Sequence, residues 1–467
     1  MKRFCVFLAG GILLGGSCGR APEPPPNVLL ISIDTLRADR PGGAGNPRAT
    51  TPHLDRLAAT GTVFSQASST TSWTLPAHLS LLTGQYPSSH GVVGDIHALP
   101  DSKTTLAEFL TRRGYAAAGF VTGPYLDPAF GFAQGFDTYE PCVDYRVERD
   151  NQGGIENLVG VHLRSHSGVT SPALHERAVD WLARVPTGKP FFLFLHYWDP
   201  HYDFVPEAPY DRVFNPEYRG RLSGRGFSEN RAIHSGMAPT ERQRVMDLYD
   251  GEIRYTDRWI GKVLRALESR GDLERTLIVV VGDHGEEFFE HGGKGHRRNL
   301  YGETLDIPLI TRLPGVLAGG GVVAEPASLV DVFPTVVAVA GGGARESCKG
   351  ALSSDTGRRY RNAQGLWRTA RHAHLDPRRE VEVHCSGGRR GARRTVRPSR
   401  RSGRKGGLLG EVPADHSGLS GGGPRERVGA SGASRDSAPQ PERGDAGRAS
   451  CAGLCAMTGS GERGGVS

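Results

Sequence analysis

Asp34, Thr74 and the pair Asp283-His284 are the residues of this 467-residue chain whose types and positions suit ester chemistry. Thr74 stands in the run Ser-Trp-Thr-Leu-Pro-Ala-His-Leu-Ser-Leu-Leu-Thr-Gly (72–84), ahead of a proline-stiffened turn and a short helix-compatible stretch that stops at Gly84. A hydroxyl at the start of a helix sits where backbone N–H groups and the helix dipole favour negative charge. That is a position for a nucleophile attacking a phosphate or sulfate ester. Taken alone, the same pattern describes an N-cap.

Asp34 and Asp283-His284 each follow an apolar run. A carboxylate at a strand end is commonly a turn former. Two such sites, one with an adjoining histidine, also make a ligand set for one divalent cation. Oxygen ligands alone suit Ca²⁺ or Mg²⁺, and an imidazole moves the preference toward Zn²⁺ or Mn²⁺. A cation would lower the pKa of a coordinated Thr74 hydroxyl, otherwise a poor nucleophile, so Thr74 counts among the expected ligands. Downstream, the segment Asp-His-Gly-Glu-Glu-Phe-Phe-Glu-His-Gly-Gly-Lys-Gly-His (283–296) carries glycines that let a loop fold back. Lys294 could then neutralise a transferring anion and His296 protonate a leaving oxygen. In His196-Tyr-Trp-Asp-Pro-His201, His201 is the preferred further acid, because His196 ends an apolar strand and reads as a core histidine.

These groups need a scaffold. Residues 27–33, 115–121, 190–196 and 276–281 read as buried strands, and 51–61, 104–114, 172–185 and 240–271 as helices, the last as one or two. Strands alternating with helices predict an α/β fold with a mostly parallel central sheet flanked by helices. In such sheets ligands bind beyond the carboxyl ends of the strands, which would gather Asp34, the 196–201 histidines and Asp283-His284 on one rim.

Composition divides the chain. Residues 345–467 hold 22 Arg and 23 Gly with no Ile or Phe, and carry +12 of a whole-chain +7, leaving the first 344 residues at −5. The basic balance therefore belongs to the tail, and no nucleic-acid partner is expected. Low apolar content without periodicity predicts a disordered tail, or one translated out of frame. At the other end, Met1-Lys2-Arg3, an apolar run from Phe4 to Leu14 and small residues up to Cys18 read as a signal peptide over 1–18. Cys18 matches the lipidated cysteine of bacterial lipoproteins or lies near a plain cleavage site, followed by a Pro-rich tether over 19–26. The expected location is the periplasm or cell envelope, with membrane anchoring through Cys18 in the lipidated case. Cys142 is the one cysteine between signal and tail, so no disulfide framework supports the core.

The order Asn-Val-Leu-Leu-Ile-Ser-Ile-Asp34-Thr-Leu-Arg-Ala-Asp, then Thr74-Leu-Pro-Ala-His-Leu-Ser-Leu-Leu-Thr-Gly, then Asp283-His284-Gly-Glu resembles the sulfatase family of the alkaline phosphatase superfamily. Thr-Pro-His-Leu-Asp55, Gln-Gly-Phe-Asp137, Tyr-Asp250-Gly-Glu-Ile-Arg-Tyr-Thr-Asp257 and Asp331-Val-Phe-Pro-Thr335 extend the resemblance over about residues 27–343. It implies an alkaline-phosphatase-like catalytic domain over 27–344 whose C-terminal subdomain is missing or aberrant. It places Thr74 at the nucleophile position, Asp34, Asp283 and His284 among the metal ligands, and His201, Lys294 and His296 near the transferred group of an anionic sulfate or phosphate ester. The implied cofactor is one divalent ion, Zn, Mn or Ca.

The departures from the family carry chemical weight. The usual cysteine or serine, converted to formylglycine, is replaced by Thr74, which cannot become that aldehyde. In the Cys-x-Pro-Ser-Arg pattern Ala77 replaces serine and His78 replaces arginine, which makes His78 a further catalytic candidate. Thr35 follows Asp34 where many members have a second aspartate, and Phe-Val-Thr-Gly-Pro124 stands in place of the lysine-tryptophan-histidine motif. A sulfated threonine has no aldehyde exit, whereas a phosphorylated threonine is an ordinary intermediate. The expectation is a phosphoester hydrolase or phosphotransferase on a sulfatase-like body; the alternative is an inactive binding protein that keeps the fold.

Overall fold

The computed structural model describes residues 24–148, 168–317 and 319–341, with positions 157, 160 and 165 between them. The expected signal peptide, Cys18, most of the tether and the tail over 345–467 lie outside the described residues.

The four expected strands form. They are β1 (Asn27–Ile33), β3 (Ala116–Val121), β5 (Phe191–Tyr197) and β6 (Thr276–Gly282). Short strands β2 (Thr62–Phe64), β4 (Thr138–Pro141), β7 (Leu309–Arg312) and β8 (Gly321–Val323) complete an eight-stranded sheet in the order β8-β2-β7-β6-β1-β5-β3-β4. Only β7 runs antiparallel to its neighbours. All seven residues of β1, β5 and β6 are buried. Strands covered on both faces need no polar alternation, and that is why they read as continuous apolar runs.

The two faces of β1 feed two cores. Val28 and Leu30 pack with α2 (Thr74–Thr83), α3 (Leu106–Thr111) and α6 (Val332–Val339). Leu29, Ile31 and Ile33 pack with α1 (Pro52–Thr60), α4 (Ser171–Arg184) and α5 (Pro239–Ser269). The period-two alternation of Cβ directions thus makes a helix–sheet–helix sandwich. The 240–271 region is a single helix of 31 residues. Its buried Asp257 accepts the backbone N–H groups of His53 at 2.9 Å and Leu54 at 2.9 Å, capping α1 from another element. Cys142 is a half-buried free thiol.

Candidate active site

Parallel register puts the carboxyl ends of three central strands level. Ile33 of β1 aligns with Tyr197 of β5 and Gly282 of β6, so Asp34, His196 and Asp283-His284 emerge side by side. The Asp34 N–H donates to the Tyr197 carbonyl at 2.9 Å. Thr35 adopts φ +53°, and its N–H donates to Asp283 Oδ1 at 3.0 Å while its hydroxyl donates to the Pro200 carbonyl at 2.9 Å. From beneath, the Tyr249 hydroxyl of α5 donates to the Thr35 carbonyl at 2.7 Å. The residue standing where many sulfatases have a second aspartate therefore ties three loops together through its backbone and hydroxyl.

Thr74 is the first helical residue of α2, and the cap position belongs to Trp73, whose side chain makes no capping bond. The Thr74 hydroxyl instead points at the strand ends, with Oγ1 3.3 Å from Asp34 Oδ2 and 3.3 Å from His284 Nε2. Every residue of α2 is buried, which holds its N-terminus rigidly over the rim. The N-cap reading of Thr74 is thereby excluded: its oxygen faces the Asp34 carboxylate and the His284 ring.

Ligand atoms of Asp34, Asp283 and His284 lie within 4.8 Å of one another. Burial pushes the Asp34 carboxyl up to about 7, and burial together with the Asp34 charge raises Asp283. Asp34 Oδ1 and Asp283 Oδ2 are buried without a hydrogen-bond donor. Two orphaned carboxylate oxygens and an imidazole nitrogen converging beside a hydroxyl fit a divalent cation, which removes the cost of burying like charges together. Lys294, the cation anticipated nearby, is directed elsewhere: its ammonium donates to the Asn230 and Ile233 carbonyls at 3.0 and 2.8 Å.

Histidines surround the cluster. His196 Nε2 is 3.1 Å from Asp34 Oδ2, so the reading of this residue as a plain core histidine is corrected. His78, one turn along α2, sits behind the cluster, fully buried. Its Nδ1 lies 2.9 Å from the Thr74 carbonyl and its Nε2 2.8 Å from Ser32 Oγ, and burial depresses its pKa to about 3. It is a neutral ring that donates to Thr74 and accepts from Ser32. Its contact with Thr74 is to the backbone carbonyl, and burial keeps the ring from carrying the charge of the arginine it replaces. His201 stacks on Trp198 at 3.7 Å between ring centroids, and the His296 ring lies 5.0 Å from His201 and 4.5 Å from His284. His296 Nδ1 is 3.3 Å from both carboxylate oxygens of the buried Glu286.

A family model described as Sulfatase matches residues 26–342. The chain belongs to the sulfatase family. That membership makes it a hydrolase of sulfuric or phosphoric esters, in a family that depends on metal. This sulfatase-family chain is 30% identical over 390 residues to a multifunctional alkaline phosphatase superfamily protein of Trinickia caryophylli, covering 69% of this chain and 75% of that protein. It is 27% identical to an arylsulfatase of Clostridium perfringens, covering 67% and 74%. Among solved structures, a phosphonate monoester hydrolase from Silicibacter pomeroyi superposes with a TM-score of 0.51 at 25% identity, covering 68% and 73%. Asp34, Thr74, Asp283 and His284 of this sulfatase-family chain come together; His201 and His296 stand beside them; Lys294 does not. Sequence reasoning missed Glu286, although it sits in the Asp-His-Gly-Glu motif, and it undervalued His196, whose position at a strand end on the ligand rim was the available signal.

Proposed function

We propose that this chain is a metal-dependent phosphoester hydrolase or phosphotransferase in which Thr74 is the nucleophile. The observation that carries the reading is the Thr74 hydroxyl, 3.3 Å from both Asp34 and His284 at an uncapped helix start. Asp34, Thr74, Asp283 and His284 would hold the cation, which neutralises charge on the transferred group and acidifies the hydroxyl. The Thr74 hydroxyl passes its proton to Asp34 Oδ2 as Oγ attacks phosphorus, the bond to the leaving oxygen breaks, and its electron pair moves onto that oxygen. His296 or His201 delivers a proton there. Water or another acceptor then displaces the phosphoryl group from Thr74.

The preference for phosphorus over sulfur rests on the threonine: it lacks the aldehyde exit that releases sulfate, while a phosphothreonine yields to in-line attack. The phosphonate monoester hydrolase and the alkaline phosphatase superfamily protein among its relatives support the same preference. The test is turnover of aryl phosphate, phosphonate monoester, phosphodiester and aryl sulfate by the purified protein. Phosphoester turnover abolished by Thr74→Ala is expected; turnover of sulfate alone, surviving Thr74→Ala, overturns the reading.

Export with lipidation at Cys18 is the accompanying proposal on location, from the basic start, apolar run and small residues of the first 18 positions. Mass spectrometry of the mature N-terminus checks it, since an acylated Cys18 is expected and an intact Met1 rejects it.

A further inference from the structure

Beside the ligand cluster, Glu286 is buried completely, yet its side chain is not among the groups that converge to hold a cation; those are Asp34, Asp283 and His284. Its two carboxylate oxygens instead straddle one atom, each 3.3 Å from His296 Nδ1. The backbone on either side is fixed. The Glu286 carbonyl accepts the Arg37 guanidinium at 3.0 Å, and Gly295, at φ +90°, takes the left-handed turn that returns His296 toward Glu286. The next residue, Arg297, donates its N–H to the Ser72 carbonyl at 2.9 Å, so the chain after His296 is fastened to the threshold of the Thr74 helix. The ring that results lies 4.5 Å from His284 and 5.0 Å from His201.

We infer that Glu286 is a positioning residue that holds the His296 ring by its Nδ1 edge and so presents Nε2 as the atom that gives a proton to the leaving oxygen. This rests on the hydrolase reading above. A carboxyl group that accepts Nδ1–H fixes both the tautomer and the orientation of the ring. Burying a carboxylate against one imidazole is a costly way to fill space, and an apolar residue would do that better. In the step itself the Nε2–H bond breaks and an O–H bond forms on the leaving oxygen as the electron pair of the ester bond reaches it. The Nδ1–H stays with Glu286, and the ring ends neutral.

The test joins a structural and a kinetic readout. Nitrogen-15 NMR of the His296 ring, assigned through His296→Ala, is expected to show Nδ1 protonated and hydrogen-bonded in the wild type and in Glu286→Gln, whose amide oxygen still accepts. That signature is lost in Glu286→Ala and in Glu286→Met, the second of which keeps the space filled. On aryl phosphates of graded leaving-group basicity, Glu286→Met and His296→Ala are expected to lose little on the best leaving group. On the poorest they lose about 10²-fold or more, the range of general-acid effects, and the double variant loses no more than His296→Ala. Glu286→Gln recovers most of the loss. The inference is overturned by an unchanged Nδ1 signature in Glu286→Met, by losses independent of the leaving group, or by losses that multiply in the double variant. Wild-type turnover insensitive to Thr74→Ala overturns the hydrolase reading instead, and the NMR comparison still decides the pairing of Glu286 with His296.

Discussion

His196 Nε2 lies 3.1 Å from Asp34 Oδ2, and neither side chain is exposed to solvent. The two residues leave the carboxyl ends of adjacent parallel strands, so the contact follows from the register of β1 and β5. A histidine in this place braces one carboxylate oxygen of Asp34, while the other, Oδ1, accepts no hydrogen bond.

Replacing His196 by alanine is expected to weaken divalent-metal affinity about 10–100-fold, the usual effect of removing a group that orients a ligand. Competition with a chromophoric chelator measures it. An unchanged affinity would return His196 to the core-histidine reading.

Thr74→Ala is expected to lower kcat for a phosphoester by about 10³-fold or more, while Thr74→Ser, which keeps a hydroxyl, retains a measurable part. Acid quenching during turnover and peptide mass spectrometry should find phosphate on Thr74 in the wild type. Its absence under burst conditions would point to direct attack by water.

Removing the metal should make stability depend on pH in a particular sense. Burial raises Asp34 from an ordinary 3.8 to about 7 in the folded chain. Between those values the folded protein keeps a proton that the unfolded chain has lost, so stability falls as pH rises through the window. Thermal melts in chelator from about pH 4.5 to 7.5 test this; the slope attributable to this group disappears in Asp34→Asn, and excess divalent metal reverses it at neutral pH. Identical slopes for the two chelated proteins would remove Asp34 as the cause.

Asp257→Ala is expected to cost about 1–3 kcal/mol of stability by leaving the buried Leu54 N–H and the half-buried His53 N–H unpaired. Denaturant unfolding measures the loss. Metal affinity should stay as in the wild type, because the Asp257 carboxylate is bonded to the start of α1 and not to the ligand cluster.

Much of the scaffold was legible in the sequence for a local reason. A strand buried on both faces is a short run of apolar residues whatever its partners, and Asn27–Ile33 and Thr276–Gly282 show such runs plainly. The short strands Thr62–Phe64 and Gly321–Val323 went unseen because three residues carry too little periodicity, and Thr62–Phe64 finds both its partners, Leu309–Arg312 and Gly321–Val323, far along the chain. Lys294 was misjudged for a related reason. Glycines allow a loop to return, but where its ammonium ends depends on the carbonyls of Asn230 and Ile233.

The sequence by itself determined the α/β layering and the family and singled out the four residues Asp34, Thr74, Asp283 and His284 as candidates, because strand ends, a helix start and residue chemistry are local properties. Only the tertiary structure decided what each group faces. Thr74 meets Asp34 across 40 residues of chain and His284 across 210, and these contacts turn a candidate cap into a candidate nucleophile. The partners of His196, His78 and Glu286 were decided in the same way, since the partner of a buried polar side chain is set by which elements pack together.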